Sequence, residues 1–131
     1  MTDTHAPTSI TQVSTIIVPV SDQDAAIAYY TEKLGFEKRS DTPFGRGDRW
    51  VEVAPPGAPT TLALMPPQEG EAVGISTRVA FSTADVDADH ATLKQREVDV
   101  DEEVSRMGDP VPPMFWLRDP TGHSLMVVEH A

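Results

Sequence analysis

The sequence predicts an α+β fold in which one β-α-β-β-β unit occurs twice in succession. The order of predicted elements is the same in both halves of the 131-residue chain. A shift of 63 residues places Asp22-x-Asp24-Ala25 on Asp85-x-Asp87-Ala88, so that both predicted helices begin with the same acidic pattern. The turn Pro55-Pro56-Gly57 has the same place in the order of elements as Pro120-Thr121-Gly122, which lies 65 residues later. These matches indicate an internal duplication.

The first unit is predicted to span residues 10–66 and to open with a strand at 10–20, which is rich in Val and Ile. A helix follows, with Ser21 or Asp22 as its cap and Gly35 directly after its end. The apolar face of this helix carries residues at spacing i, i+3, i+7, namely Ile27, Tyr30 and Leu34. Three strands complete the unit, at 36–40, 49–54 and 60–65, with a loop at 41–48 that contains Pro and Gly.

The second unit is predicted to span residues 75–131, after a polar linker at 67–74. It begins with a strand at 75–82 and a helix at 84–96, whose inner face carries Val86, His90 and Leu93. Further strands are predicted at 98–104, 114–118 and 124–129, with a proline-containing loop at 105–113. Residues 1–9 are predicted to form a flexible tail. The chain length favours one compact domain that contains both units.

Composition excludes several classes of function. The formal net charge is -11, which argues against binding nucleic acid, because phosphates require a basic surface. The sequence contains no Cys, so disulfides, thiolate metal ligands and a Cys nucleophile are excluded. No apolar run approaches the roughly 20 residues of a membrane span, and the N-terminus lacks the pattern of a signal peptide. The predicted location is therefore the cytoplasm, with no membrane partner.

The last two strands and their turn carry the most informative motif. The segment Phe115-Trp116-Leu117-Arg118-Asp119-Pro120-Thr121-Gly122-His123-Ser124-Leu125 reads as strand, Asp-Pro-x-Gly turn and strand. This motif resembles the vicinal oxygen chelate superfamily, which includes glyoxalase I, extradiol dioxygenases and the fosfomycin- and bleomycin-resistance proteins. Val20-Ser21-Asp22 and Lys33-Leu34-Gly35-Phe36 are similar to the first strand and helix of that family.

The resemblance covers residues 10–129 and implies the glyoxalase/bleomycin-resistance fold. In that fold, two paired βαβββ modules form a curved mixed sheet cup. The cup is the binding or catalytic site, and two modules, often from two chains, complete it. A homodimer is therefore expected.

The resemblance also implies where a metal ion would bind. Metal-dependent members hold the ion with one His or Glu from each of four strands, and the matching positions here are Thr15, Ala63, Arg78 and Met126. Thr is a poor ligand, Ala has no donor atom, Met favours soft ions, and Arg repels a cation. We therefore predict no metal and no other cofactor. This departure argues against metal-dependent glyoxalase, dioxygenase and fosfomycin-transferase activity.

Without a metal, the side chains that line the cup define the predicted ligand-binding cavity. Strand alternation places Trp50 and Glu52 on one face. Met114 and Trp116 also share a face, and by the resemblance they match residues that approach the substrate in fosfomycin-resistance members. The full predicted set is Thr15, Trp50, Glu52, Arg78, Met114, Trp116 and Met126.

The predicted cavity suits a cationic or aromatic small molecule. Trp and Met side chains favour flat or aromatic ligands. Glu52 suits a cationic group of the ligand and Arg78 an anionic one. Two alternatives stay open at this point: the Trp pair belongs to the core, or Arg78 and Glu52 pair with each other.

The first functional hypothesis is a metal-free small-molecule-binding protein. It is similar to bleomycin-resistance proteins, which sequester an antibiotic or natural product in a cavity of a dimer. The second is an enzyme, a glyoxalase- or dioxygenase-like lyase or isomerase with a displaced or absent metal site, in which Glu52 is the candidate base. The third is a regulatory or partner-binding module with a vestigial cup.

Overall fold

The computed structural model describes residues 8–45 and 47–130, which form two four-stranded sheets and two helices. Most of the predicted flexible tail lies outside the described residues. Neither described helix, α1 (Gln23–Ala28) nor α2 (Val86–Gln95), has the length and apolar character needed to cross a bilayer. The strands are β1 (Thr15–Pro19), β2 (Glu37–Phe44), β3 (Asp48–Ala54), β4 (Thr61–Met65), β5 (Ser76–Thr83), β6 (Asp99–Val100), β7 (Met114–Arg118) and β8 (Ser124–Glu129).

The two sheets repeat one topology. Their strand orders are β1-β4-β3-β2 and β5-β8-β7-β6. In each sheet, the first strand of the unit pairs in parallel with the last strand, and the remaining pairs are antiparallel. This arrangement confirms the predicted α+β fold of two β-α-β-β-β units.

Alternate residues of the central strands point into one shared core. The first sheet contributes Val18, Val51 and Leu64, and the second contributes Phe115 and Leu125, all of which are buried. The helices add further apolar side chains to the same cluster, among them the predicted helix residues Tyr30, Val86 and Leu93. The two units are therefore held together by one hydrophobic core, which is the main favourable term in folding.

The helices begin as the sequence predicts, but the first ends differently. Asp22 accepts a hydrogen bond from Ala25 N, and Asp85 accepts one from Ala88 N, so both caps sit 63 residues apart as the repeat requires. The first helix was expected to continue to Leu34. Instead, α1 ends at Ala28 and a π-helical turn occupies Tyr29–Lys33. Pattern analysis cannot detect such a turn, because an apolar face at 3.6-residue spacing does not specify the hydrogen-bond register.

Other sequence boundaries were wrong for identifiable reasons. The predicted loop at 41–48 is largely strand, because β2 runs to Phe44 and forms a hairpin with β3. Pro43 is compatible with this strand because β2 lies at the edge of its sheet. The predicted strand at 98–104 is reduced to Asp99–Val100, and the predicted first strand begins only at Thr15. Strands β7 and β8 have the predicted bounds.

The turn between β7 and β8 joins the two units through Asp119. This carboxylate is 6% exposed and accepts hydrogen bonds from the backbone N–H groups of Thr121 and His123. Its other oxygen accepts the hydroxyl of Tyr30, which belongs to the first unit, at 3.0 Å. Burial and then the neighbouring Asp119 charge raise the pKa of Tyr30, so its hydroxyl stays protonated and serves as the donor.

His123 makes a second connection from the same turn. The buried imidazole accepts the backbone N–H of Ile75 at Nδ1, at 3.1 Å. Its Nε2 contacts the carbonyl oxygen of Pro19 at the end of β1. Because a carbonyl can only accept, Nε2 carries the proton and the ring is neutral. His123 is therefore a structural residue of the interface between the units.

The repeat is also visible in a reciprocal contact on the surface. Lys33 Nζ donates to the carbonyl oxygen of Arg96 at 2.7 Å, and Arg96 Nη1 donates to the carbonyl oxygen of Lys33 at 2.8 Å. These residues are 63 positions apart, which is the shift that aligns the two units. Equivalent residues therefore meet where the first unit contacts the second.

Replacing Asp119 with Ala is expected to lower the free energy of unfolding by about 2–4 kcal/mol, because three donors, two of them backbone N–H groups, lose their acceptor. Urea denaturation measures the change. The exposed residue Glu103 supplies a control, and Glu103→Ala should alter stability by no more than about 0.5 kcal/mol. An Asp119→Ala protein as stable as the control would show that this carboxylate does not hold the units together.

Candidate ligand-binding site

Each sheet has one face that points away from the shared core. We call these the first face, on β1, β3 and β4, and the second face, on β5, β7 and β8. The first face is formed by Thr15, Ile17, Trp50, Glu52, Thr61, Ala63 and Met65. The second face is formed by Arg78, Ala80, Ser82, Met114, Trp116, Arg118, Ser124, Met126 and Val128.

The two faces contain equivalent rows of residues. Across the first sheet, Ala63 is paired with Ile17 on one side and with Glu52 on the other. Across the second sheet, Met126 is paired with Ala80 and with Trp116. Ile17 and Ala80 differ by 63 positions, as do Ala63 and Met126. Every residue of the predicted cavity lies on one of these two faces.

Glu52 is the polar centre of the first face. Its Oε2 accepts the indole N–H of Trp50 at 2.6 Å, and its Oε1 accepts the hydroxyl of Thr61 at 2.5 Å. The Thr61 hydroxyl also lies 2.8 Å from the Thr15 hydroxyl. Because each hydroxyl has one proton, Thr15 is the donor in that second bond. Four side chains thus form one connected network.

This network keeps Glu52 ionised. The hydrogen bonds from Thr61 and then from Trp50 lower the pKa of the Glu52 carboxyl, and partial burial opposes them only in part. A carboxylate with a lowered pKa is a weak base but a good fixed acceptor. It retains lone pairs for a cationic or N–H group of a ligand, because a carboxylate offers about four acceptor sites. The proposed role of Glu52 as a base stays a prediction that this geometry does not favour.

A cavity of about 460 Å³ borders Trp50 on the first face. Phe44, at the end of β2, extends the aromatic surface, since its ring centre lies 5.6 Å from that of Trp50. Ile17 also lines this cavity and is 56% exposed, which is unusual for a large apolar side chain at the middle of a strand. The other walls are Asp48, Met65, Pro66, Pro67, Gln68 and Glu71.

The second face is more open than the first. Met114, Trp116 and Met126 are half-buried, whereas Arg78, Ala80 and Ser82 are exposed. Arg78, Met114, Trp116 and Met126 do not line the cavity that borders Trp50. The described residues of one chain therefore leave the two Trp side chains on separate surfaces, and neither Trp belongs to the shared core.

The two charged residues of the second face differ in their surroundings. Arg118 donates to Asp101 at 2.6 Å and lies 3.5 Å from an oxygen of Asp99. Arg78 has a backbone φ of 59° and makes no hydrogen bond or ion pair with any residue in the described ranges. The predicted pair between Arg78 and Glu52 is therefore not formed among these residues, because the two side chains lie on different sheets.

The four positions that the family resemblance predicts for metal ligands carry side chains that do not suit a metal ion. Thr15 and Ala63 lie on the first face, and Arg78 and Met126 lie on the second. None supplies an imidazole or carboxylate donor, and the guanidinium of Arg78 would repel a cation. Within the described ranges, no group of three or more His, Asp or Glu side chains is arranged to hold a metal ion.

Sequence analysis missed several residues that shape the first face. Thr61 was not selected, although a Thr among apolar residues in a buried strand signals a specific hydrogen-bond partner. Phe44 falls in the predicted loop at 41–48, and Ile17 and Met65 fall in predicted strands without a predicted role in the site. Their roles depend on which strands are neighbours, and single-strand patterns do not contain that information.

The pKa of Glu52 leads to a pH prediction. The pKa of the Glu52 carboxyl in the folded state lies below its ordinary value of 4.5. Ionised Glu52 therefore stabilises the fold at a pH above 4.5. This contribution is lost as the pH falls through the folded-state pKa. We expect the difference in unfolding free energy between wild type and Glu52→Gln to be constant from about pH 8 to about pH 5 and to shrink below about pH 4.5. Urea unfolding at a series of pH values measures it. A difference that already changes between about pH 6 and 8 would contradict an ionised Glu52 with a lowered pKa.

Comparisons with known proteins agree with the fold described above. The sequence profile of the Glyoxalase/Bleomycin resistance protein/Dioxygenase superfamily matches residues 12–127. TnmS3, an antibiotic binding protein from Streptomyces sp. CB03234, has a similar structure, with a TM-score of 0.83 and 34% identity over 95% of this chain and 100% of that one.

Two proteins of Bacillus subtilis strain 168 are also similar, and both are described as uncharacterized. YurT is 32% identical over 120 residues, which cover 84% of this chain and 92% of that protein. YetH is 46% identical over 57 residues, which cover 44% of this chain and 48% of that protein. Because the superfamily profile spans nearly the whole sequence and the fold agrees, this chain belongs to the glyoxalase/bleomycin resistance protein/dioxygenase superfamily.

Proposed function

We propose that this protein binds a small molecule without a metal and sequesters it, the ligand being an antibiotic or a related natural product. The observation that carries the proposal is the similarity to the antibiotic-binding protein TnmS3 over almost the full length of both chains. The two open sheet faces, each with a Trp and a Met side chain, support it. The predicted location stays the cytoplasm.

The chemistry of the faces supports binding rather than metal catalysis. Thr15, Ala63, Arg78 and Met126 stand where metal-dependent relatives are expected to have ligands. The ionised Glu52, hydrogen-bonded to Trp50 and Thr61, is a rigid acceptor beside an aromatic surface. A flat ligand with a cationic or N–H group suits this arrangement. The 460 Å³ cavity has the size that small-molecule sites usually have.

The proposal includes a homodimer. The first face holds the Glu52 carboxylate, which has hydrogen-bond donors but no basic partner among the described residues, next to exposed Ile17. The second face holds exposed Arg78 next to Trp116 and Met126. If a second copy places its second face opposite the first face of this chain, the two faces enclose a cavity with aromatic walls on both sides. Such closure also removes the exposed apolar area of Ile17 from water.

A first test measures ligand and metal responses separately. Chelator-treated protein is heated with Ni, Zn, Fe(II), Mn or Mg ions, and in parallel with a panel of aromatic and cationic natural products. A ligand at 100 times its Kd stabilises the fold by about 2.7 kcal/mol and raises the unfolding midpoint. We expect a rise with members of the panel and none with the ions. A saturable rise with one ion would favour the enzyme hypothesis, a lyase or isomerase, over the binding hypothesis.

A second test concerns Glu52. Glu52→Gln should weaken the binding of a cationic aromatic ligand about tenfold or more, because a charge-assisted hydrogen bond becomes neutral. Binding of a neutral aromatic ligand should not change. Glu103→Gln is the control, since this exposed residue lies outside both faces. Equal affinities in Glu52→Gln and wild type would show that Glu52 does not contact the ligand.

Sedimentation tests the dimer. We expect a particle of twice the chain mass of 14.2 kDa. Ile17→Glu places a charge on the first face, away from the shared core, and should produce a folded monomer with lower ligand affinity. A wild-type monomer that still binds the panel ligands would refute the dimer cavity and leave ligand binding intact.

A further inference from the structure

Arg78 is the one basic residue within the described ranges that lacks a protein partner. The chain has 10 Lys and Arg residues against 21 Asp and Glu. Of the nine basic residues within those ranges, the other eight contact carboxylate or carbonyl oxygens, as Arg49, Arg106 and Arg118 do. In so acidic a chain, a surface arginine normally finds an acidic partner. Arg78 has no such partner among residues 8–45 and 47–130, and it stands on the second face.

The backbone holds Arg78 in an unfavourable conformation. Its φ of 59° lies in the left-handed region, which a residue with a long side chain rarely adopts. The pairing of β5 with β8 is shifted between Ser76 and Ala80, which is where Arg78 lies. Thr77 maintains the irregularity, because its hydroxyl contacts the carbonyl oxygen of Ser124 at 2.8 Å and accepts Val79 N at 3.1 Å. Backbone strain of this kind is concentrated at functional sites.

The irregularity determines what Arg78 can reach. Val79 and Phe81 pack against the core, which leaves Arg78 and Ala80 on the open second face. Ala80 is paired with Met126, and Met126 with Trp116. A guanidinium therefore stands next to a row with thioether and indole groups, and the small side chain of Ala80 leaves space above the sheet.

We propose that Arg78 binds an acidic group of the ligand, such as a carboxylate, a sulfonate or a phosphate, through two parallel N–H···O hydrogen bonds. This inference rests on the proposed function and adds to it that the ligand carries a negative charge at the end that contacts the second face. Planar bidentate recognition of this kind is a property of arginine that lysine does not share. Together with Glu52 on the first face, this role of Arg78 indicates a ligand with a basic and an acidic group at opposite ends of a flat ring system.

Matched naphthalene compounds test the charge preference. The probes are 2-naphthoate, 2-naphthalenesulfonate and the neutral 2-naphthalenemethanol. The chain has two Trp residues, one on each face, so quenching of Trp fluorescence reports binding there. We expect wild type to bind both anions at least about tenfold more tightly than the neutral compound, and the preference to weaken with salt.

Three variants assign the preference to Arg78. Arg78→Gln should abolish the preference for the anions while leaving the affinity for the neutral compound unchanged. Arg78→Lys should retain only part of it, because lysine keeps the charge but not the planar fork. Arg106→Gln is the matched control, since Arg106 is exposed, paired with Asp87 and on neither face, and it should behave as wild type.

Stability supplies a second readout. Asn tolerates the left-handed conformation better than Arg. Arg78→Asn should therefore raise the unfolding midpoint by about 2–5 °C while it lowers anion affinity. This combination would indicate that Arg78 is strained in the fold and acts in binding. A lower midpoint for Arg78→Asn would show that the arginine has a structural role instead and would overturn the inference.

The binding outcomes separate this inference from the proposed function. Equal wild-type affinity for anionic and neutral probes, or an anion preference that survives in Arg78→Gln, would overturn the role of Arg78 and leave ligand binding in place. A different result would be that Arg78→Gln is monomeric and that the double exchange of Glu52→Arg with Arg78→Glu restores the dimer. Arg78 would then contact Glu52 of the partner subunit, and this would overturn the inference. If neither the natural products nor the naphthalene compounds bound to the protein, the proposed binding function itself would be refuted.

Discussion

The buried carboxylate of Asp119 is the constraint on which the arrangement of the two units depends. It satisfies two backbone N–H groups of its own turn and the hydroxyl of Tyr30 from the other unit. A buried carboxylate is costly unless its oxygens are occupied, so the turn is stable only when the first unit is in place. His123 adds contacts to Pro19 and Ile75. The turn therefore fixes the orientation in which the two cores merge.

Once the cores merge, strand alternation decides which side chains are available for function. Residues such as Val51 and Leu125 enter the core, and their neighbours Glu52 and Met126 must point the other way. Strand alternation therefore buries one set of side chains in the core and leaves the other set on the two faces, which contain equivalent rows of residues. The first face carries the carboxylate of Glu52, and the second face carries the guanidinium of Arg78.

Much of the fold was accessible from the sequence because its signals are local. The Asp caps at 22 and 85 depend on the first turn of each helix, and the bounds of β7 and β8 follow from a turn of Asp, Pro and Gly between β-branched and aromatic residues. The 63-residue shift predicted the repeat, and the structure adds a reciprocal contact between Lys33 and Arg96, which are separated by the same shift. The β2–β3 hairpin was missed because Pro43 marks a loop in isolation, and only its position at a sheet edge makes it compatible with a strand.

The sequence by itself determined the family and the duplicated α+β fold, and it selected seven of the side chains that lie on the open faces. These follow from residue type and from period-two alternation. Only the tertiary structure decided that Thr61 and Trp50 hold Glu52 ionised, that Phe44 and Ile17 shape the first cavity, and that Arg78 lies in a left-handed conformation without a partner among the described residues. Each of these depends on contacts between strands that are distant in the chain or on a backbone irregularity, and no single-strand pattern encodes either.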